Sequence, residues 1–115
     1  MREEIEDVLK EFKVDLVLTG HYHEYHRSCD GLYREECDAG GPIHITVGTA
    51  GGILDSGVEL NEGWSSQFLR GVFGYGRITV ANASALHFQF VRAGPPEDAE
   101  AGQVLDDVWI VRDRE

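Results

Sequence analysis

Basic residues are scarce in this chain: Lys and Arg number 10 against 21 Asp and Glu, which leaves a formal net charge of -11. A surface this acidic repels the phosphates of nucleic acids and the anionic headgroups of cytoplasmic membranes. The balance therefore argues against a nucleic-acid-binding or peripheral membrane protein. It would equally repel a phosphorylated substrate, so phosphate chemistry here requires metal cations that reverse the local field.

The sequence also lacks a long apolar run and a recognisable signal peptide. No stretch approaches the ~20 apolar residues that cross a bilayer as a helix. The first residues form a charged amphipathic pattern instead of the basic and then apolar regions of a secretory leader. With 115 residues, of which 42% are hydrophobic, we expect one small folded domain.

Cysteine is limited to Cys29 and Cys37. Two cysteines cannot complete a structural zinc site, and these two lack C-x-x-C spacing. From the residues alone, two interpretations stay open: a pair of free thiols, or a small disulfide ring formed in an oxidising compartment.

Apolar periodicity predicts one helix followed by several strands. The helix is indicated by apolar residues at helical spacing, with acids early and lysines late: Ile5, Val8, Leu9 and Phe12. Residues 14–19 form a near-continuous apolar run, which predicts a strand buried on both faces of a parallel or mixed sheet. The remaining predictions are a polar loop over 21–41, strands over 43–48, 73–81, 85–91 and 104–111, and a short helical turn over 65–69. This order predicts an α/β fold.

The most informative segment runs from Thr19 to Arg27, directly after the predicted buried strand. In α/β folds, ligands bind where such strands end. If the backbone stays extended after Gly20, His21 and His23 point the same way, and neutral imidazole is a favoured ligand of zinc and iron. His26 is a weaker candidate ligand because it lies an odd number of residues further on. Such H-x-H pairs also occur in ordinary surface loops, so the pattern alone does not decide.

The motif Gly20-His21-x-His23-x-Tyr25-x-Arg27 resembles the final metal motif of the purple acid phosphatases, within the calcineurin-like metallophosphoesterases. The likeness extends over nearly the whole chain. The matching runs are Lys13-Val14-Asp15-Leu16-Val17, Gly41-Pro42-Ile43-His44-Ile45, Phe73-Gly74-Tyr75-Gly76-Arg77 and Asp107-Val108-Trp109-Ile110.

The resemblance implies the C-terminal part of a four-layer α/β/β/α metallophosphoesterase sandwich, incomplete, over residues 1–115. It implies that His21 ligates a divalent metal (Zn, Mn or Fe) and that His23 ligates a neighbouring ferric ion. Tyr25 and Arg27 match positions expected to shape the loop. His26 stands where the family more often has an acidic residue. The implied reaction is hydrolysis of phosphate monoesters at acidic pH.

Two neutral imidazoles do not hold two highly charged cations, which require anionic ligands. The family supplies aspartates, a tyrosinate, an asparagine and a further histidine from upstream motifs that are not found in this sequence. The expectation is therefore a fragment that catalyses almost nothing alone. Two alternatives are a catalytically inactive relative that keeps the fold, and a small free-standing module that binds metal through His21, His23 and His26.

The resemblance also bears on processing and location. It favours a disulfide between Cys29 and Cys37 and a secreted, vacuolar or extracellular protein. The triplet Asn82-Ala83-Ser84 makes Asn82 a candidate glycosylation site in that setting. The other two histidines, His44 and His87, lie in predicted strands and are expected to be structural.

Overall fold

A computed structural model of the chain describes residues 2–52, 63–69 and 71–112. These described ranges contain one helix and seven strands. In chain order they are α1 (Arg2–Glu11), β1 (Leu16–Thr19), β2 (Tyr25–Ser28), β3 (Ile43–Val47), β4 (Ser65–Leu69), β5 (Gly74–Asn82), β6 (Ala85–Arg92) and β7 (Val104–Val111). Within these ranges, no helix is long and apolar enough to cross a membrane.

The strands form two sheets. The mixed sheet has the order β1-β3-β2-β4, in which β1 runs parallel to β3 while β2 runs antiparallel to both of its neighbours. The second, antiparallel sheet has the order β5-β6-β7. Parallel pairing of β1 with a later strand agrees with the α/β expectation, and the whole is a small mixed-sheet domain with little helix.

The core lies between the sheets. Tyr25 and Ile45 from the mixed sheet pack with Phe88 and Phe90 of the antiparallel sheet, and all four are almost fully buried. The Tyr25 ring stacks on Phe90 with ring centroids 4.2 Å apart. Phe88 and Phe90 lie on the same face of β6 because they are two residues apart in a strand.

Three sequence expectations are wrong in detail. The polar loop predicted over 21–41 contains β2, whose first and last residues, Tyr25 and Ser28, are buried. The helical turn predicted over 65–69 is strand β4, because pairing with β2 overrides the weak local preference of so short a segment. Strand β1 is not buried on both faces: it forms an edge of the mixed sheet, and Leu18 is 51% exposed.

Helix α1 leaves its apolar side largely uncovered, with Ile5 50% and Val8 52% exposed. It is held instead by polar contacts with the disulfide loop, residues 29–37. The Tyr33 hydroxyl donates a hydrogen bond to Asp7 at 2.6 Å, and Arg34 donates to the same carboxylate at 2.9 Å. Lys10 lies 4.1 Å from the centroid of the Tyr33 ring.

A disulfide joins Cys29 to Cys37, with Cα atoms 5.7 Å apart. The loop that it closes is fastened to the end of β7, because Arg112 donates to both oxygens of Asp30, at 2.6 and 3.1 Å. The bridge thus stabilises a loop that contacts both α1 and the antiparallel sheet.

Replacing both cysteines with serine should lower the free energy of unfolding by about 2–3 kcal/mol, because a ring of this length restricts the unfolded chain. Urea unfolding of the oxidised wild type and the double variant measures the difference. Reduction with dithiothreitol should destabilise the wild type alone. Equal midpoints for the oxidised wild type and the variant would contradict a stabilising bridge.

Candidate functional site

The candidate site lies at one end of the mixed sheet. Because β1 and β3 are parallel, their carboxyl ends, at Thr19 and Val47, meet at the same edge. The histidine loop (Gly20–Glu24) leaves β1 there, and the glycine loop (Gly48–Gly52) leaves β3 beside it. The placement at strand ends agrees with the sequence expectation.

The backbone of the histidine loop is not extended. The Tyr22 N–H donates to the Gly20 carbonyl at 3.0 Å, and the Glu24 N–H donates to the Tyr22 carbonyl at 2.9 Å. Hydrogen bonds across three residues are those of γ-turns, with His21 and His23 at their centres. The prediction that the backbone stays extended after Gly20 is therefore wrong. The assignment of His21 and His23 as metal ligands stays a prediction.

His21 carries the sharpest turn of the loop. Its φ of 76° lies in the left-handed region, which is costly for a residue with a β-carbon. Gly20, directly before it, does not adopt a positive φ. Such conformations cluster at functional sites, where the surrounding structure maintains them.

The two imidazoles lie in different surroundings. His21 is exposed, and its ring meets that of Tyr22 edge to face at a centroid separation of 5.5 Å. His23 is half-buried against the glycine loop: a β-carbon added to Gly52 would lie 3.2 Å from Cε1 of His23. The absence of a side chain at Gly52 thus leaves room for the His23 ring.

Gly48 supports the histidine loop directly. Its N–H donates to the Glu24 carbonyl at 3.1 Å, and a β-carbon at this position would lie 1.9 Å from the Tyr22 carbonyl oxygen. No side chain fits there without moving the backbone. The next residue, Thr49, is buried and exchanges hydrogen bonds with Gly74 at 3.0 and 3.2 Å, which ties the glycine loop to β5.

The side chains of His21 and His23 are nitrogen donors of the kind that metal sites use. Neutral imidazoles at a strand end suit zinc, iron and related cations. Among the described residues, however, no group of three or more His, Cys, Asp or Glu side chains could hold an ion. The described part therefore offers two nitrogen donors, and the anionic ligands that two cations require would have to come from outside it.

His26 lies on β2 and makes other contacts. Its Nε2 is 2.7 Å from the Ser65 hydroxyl, and its ring meets Trp64 edge to face at 5.2 Å. Burial, and next the nearby His44, lower the pKa of His26, and burial likewise lowers the pKa of His44 against the opposing charge of Glu6. These contacts make a structural role the better account of His26, and the half-buried position of His44 within β3 supports the same role there.

A buried group next to the histidine loop was missed from the sequence. Asp106 of β7 accepts hydrogen bonds from the Tyr25 hydroxyl at 2.6 Å and from Arg27 at 2.7 and 3.1 Å. We call these three side chains the carboxylate clasp. Asp106 pairs with Phe90 in register and so belongs to the inner row of β7, with Val108 and Ile110. An acid in an otherwise apolar alternating row was the signal that could have revealed it.

Asp106 acts on the protonation of the other two clasp groups. Burial, followed by the hydrogen bond to Asp106 and its charge, raises the pKa of Tyr25 far above its ordinary value. Burial opposes ionisation of Arg27, but the hydrogen bond and charge of Asp106 outweigh it and raise the pKa of the guanidinium. Tyr25 therefore remains a hydrogen-bond donor and Arg27 remains a cation.

Asn82 lies at the exposed turn between β5 and β6, where its side-chain oxygen accepts a hydrogen bond from the Ser84 N–H at 2.8 Å. Exposure at a turn is compatible with glycosylation, which stays a prediction.

Residues 41–107 match the family model described as "Iron/zinc purple acid phosphatase-like protein C", which covers more than half of the chain. The match begins just before β3 and extends into β7, so it includes the glycine loop and Asp106. This class of domain fits a two-sheet fold with a candidate site at the strand ends. The chain belongs to the purple acid phosphatase family.

Curated relatives extend the match across the histidine loop. The chain is 33% identical over 112 residues to purple acid phosphatase 22 of Arabidopsis thaliana, with 96% of this chain and 25% of the relative covered. It is 31% identical to acid phosphatase type 7 of Mus musculus, with 94% and 26% covered. It is also 32% identical to probable inactive purple acid phosphatase 24 of Arabidopsis thaliana, with 97% and 18% covered. The chain thus spans about a quarter or less of each relative's length.

Substituting Gly48 with alanine should destabilise the fold by about 1–3 kcal/mol, because the new methyl group meets the Tyr22 carbonyl and forces the histidine loop to move. Gly63 is the matched control, since a β-carbon there meets nothing within 4 Å. Thermal unfolding of both variants makes the comparison. Equal melting temperatures would contradict the close packing of the two loops.

The free energy of unfolding should fall as the pH drops through about 6.5, the ordinary pKa of a histidine side chain. The folded state disfavours charging of His26 and His44, so the unfolded state binds more protons in this range and stability rises with pH. The loss should end once the pH is below the lowered pKa values of the folded state. Urea midpoints between pH 5 and 8, compared with those of a His26→Gln/His44→Gln variant, measure it. An unchanged slope in the variant would assign the effect to other groups.

Proposed function

We propose that this chain acts within a longer protein that hydrolyses phosphate monoesters at acidic pH with a dinuclear metal centre, to which the chain contributes His21 and His23. The observation that carries the proposal is the position of both histidines in a strained loop at the carboxyl end of β1, in a chain of the purple acid phosphatase family. Relatives named acid phosphatases match across this segment.

In this proposal, His21 binds the divalent metal (Zn, Mn or Fe) and His23 binds the ferric ion. The metals, when bound, supply positive charge that attracts phosphate and lowers the pKa of a bound water. The chain's own part is to orient two neutral imidazoles. The exposed His21 is accessible, while the half-buried His23 is restrained by the glycine loop. A cationic centre also overcomes the repulsion between phosphate and a net charge of -11.

We further propose that residues 1–115 form the C-terminal portion of a four-layer metallophosphoesterase domain. Apolar side chains that a complete domain would cover are exposed at the open edges of both sheets. Leu18 of β1 is 51% exposed and Val80 of β5 is 73% exposed. Both strands border a shared depression lined by Leu18, Thr19, Gly20, Val47, Gly76, Ile78 and Phe88. Added strands or helices would bury this surface.

The disulfide between Cys29 and Cys37 supports a secreted, vacuolar or extracellular location, because such bridges persist in oxidising compartments. An exposed Asn82 is consistent with glycosylation there. The proposed partner is a phosphate monoester. The acidic surface opposes binding to nucleic acid or to anionic membranes.

A second candidate is a catalytically inactive member that keeps the fold without the metals. It is favoured by the 32% identity to a relative named probable inactive purple acid phosphatase 24. The upstream sequence discriminates: an active protein requires the aspartates, the tyrosine and the asparagine of the other metal motifs. A free-standing module that uses His26 as a third ligand is less favoured, because that imidazole is engaged by Ser65 and Trp64.

Turnover of a chromogenic phosphate ester tests the proposal. The 115-residue chain alone should show almost none, whereas the longer protein should be active. Within the longer protein, His21→Asn or His23→Asn should reduce activity by at least about 100-fold, since even indirect supports of a metal site are worth 10–100-fold. His87→Asn is the control, because His87 stacks on Trp109 and bonds to Asp107 in the other sheet.

Two outcomes would contradict this function. One is robust metal-dependent turnover by the 115-residue chain, and the other is full activity after loss of either histidine. An inactive longer protein that retains the fold would support the second candidate. Submicromolar binding of one zinc equivalent by the short chain would support the free-standing module.

A further inference from the structure

The carboxylate clasp lies where the histidine loop joins the core. Tyr25 is the first residue of β2 and follows His23 by two positions. Its hydroxyl and the Arg27 guanidinium both bond to Asp106, which is 81 and 79 residues further along the chain. The clasp therefore connects the downstream end of the histidine loop to the antiparallel sheet.

The interaction is buried and charged. The Asp106 side chain is 6% exposed and that of Arg27 is 18% exposed. An ion pair in such surroundings is strongly disrupted when one partner is removed, because the other charge is left without compensation. Tyr25 and Arg27 of β2 donate to the two oxygens of the Asp106 carboxylate on β7. These bonds fix both the distance between the two strands and their relative orientation.

The opposite side of the loop has weaker support. Strand β1 is an edge strand whose described strand neighbour is β3, and the loop residues themselves are held by short-range hydrogen bonds and by Gly48. The left-handed His21 requires that the surrounding structure maintain it. The glycine loop reaches the antiparallel sheet through Thr49 and Gly74, whereas the clasp reaches it through side chains of β2 itself.

We propose that Tyr25, Arg27 and Asp106 are positioning residues that hold the histidine loop in its ligand-presenting conformation by fastening the start of β2 to β7. The part of the proposal that concerns metal ligation rests on the proposed function. The part that concerns the loop conformation does not.

Amide hydrogen exchange on the 115-residue chain tests the loop conformation without metal. Tyr25→Phe keeps the ring that stacks on Phe90 and removes the hydroxyl, while Arg27→Lys keeps the charge and removes the two-pronged contact. We expect the Glu24 and Gly48 amides, which close the loop, to exchange about tenfold faster or more, as loss of a charge-assisted hydrogen bond implies. The slowest amides of β6 report the change in global unfolding, which is subtracted.

The chain provides a matched control for each variant. Tyr33→Phe removes a hydroxyl that donates to Asp7 at 2.6 Å, and Arg112→Lys removes a two-pronged contact with Asp30. Arg112 also lies 3.2 Å from the Asp15 carboxylate, directly before β1. Both controls lose the same chemistry away from the clasp and should leave the Glu24 and Gly48 amides unchanged. The positioning role is overturned if the controls loosen these amides equally, or if the clasp variants change them only in proportion to global unfolding. Tyr25→Phe carries the test if Arg27→Lys does not fold.

Zinc titration of isotope-labelled histidine resonances tests the link to metal. Zinc should shift the His21 and His23 imidazole signals of the wild type, with an apparent Kd that is weakened at least about threefold in Tyr25→Phe and unchanged in Tyr33→Phe. Unchanged affinity despite faster exchange overturns the claim that the clasp serves the ligands. No shift in the wild type counts against the proposed metal role of the histidines, while the exchange experiment still decides the positioning role.

Discussion

The structure depends on one buried charge. Asp106 lies in a layer otherwise made of aromatic and aliphatic side chains, and a carboxylate there is unfavourable without full compensation. Arg27 and Tyr25 provide it, and both belong to the strand that begins where the histidine loop ends. The requirement to neutralise Asp106 therefore determines how β2, and with it the loop, lies against the antiparallel sheet. Packing of Tyr25 on Phe90 alone would allow more sliding, because apolar contacts are not directional.

The spacing of apolar residues predicted those helices and strands that have a regular apolar pattern of their own. The helix and strands β3, β5, β6 and β7 follow from apolar periodicity, and their observed limits lie close to the predicted ones. Strands β2 and β4 could not be predicted in this way, since neither Tyr-His-Arg-Ser nor Ser-Ser-Gln-Phe-Leu shows a run of apolar residues. These strands exist because they pair with each other and because β2 pairs with β3. The solvent exposure of β1 was likewise unpredictable, because it depends on what lies beside the strand.

In the candidate site too, some features follow from the local sequence and others depend on residues far away in the sequence. Its position at a strand end followed from the order of apolar run, glycine and histidines, while the metal chemistry implied by its likeness to a family motif stays a prediction. Its backbone did not follow, because the alternation rule holds only for an extended chain. Gly48 packs against the loop that contains the γ-turns at His21 and His23. Along the sequence it is 27 residues from His21 and 25 residues from His23. A side chain at Gly48 would exclude the observed arrangement, and short-range patterns carry no sign of that contact.

Two features of this chain have a common physical origin. The sheets end in uncovered apolar strands, β1 and β5. In the part of the chain that the structure describes, the imidazoles beside β1 belong to no group of three or more His, Cys, Asp or Glu side chains that could hold an ion. Because both strands border one depression that reaches Gly20, a single covering surface could bury the apolar edges and bring anionic ligands to the histidines. The net charge of -11 makes such carboxylates costly to add unless cations bind with them. If the chain acts in the proposed metallophosphoesterase domain, assembly of that domain and binding of metals should therefore favour each other.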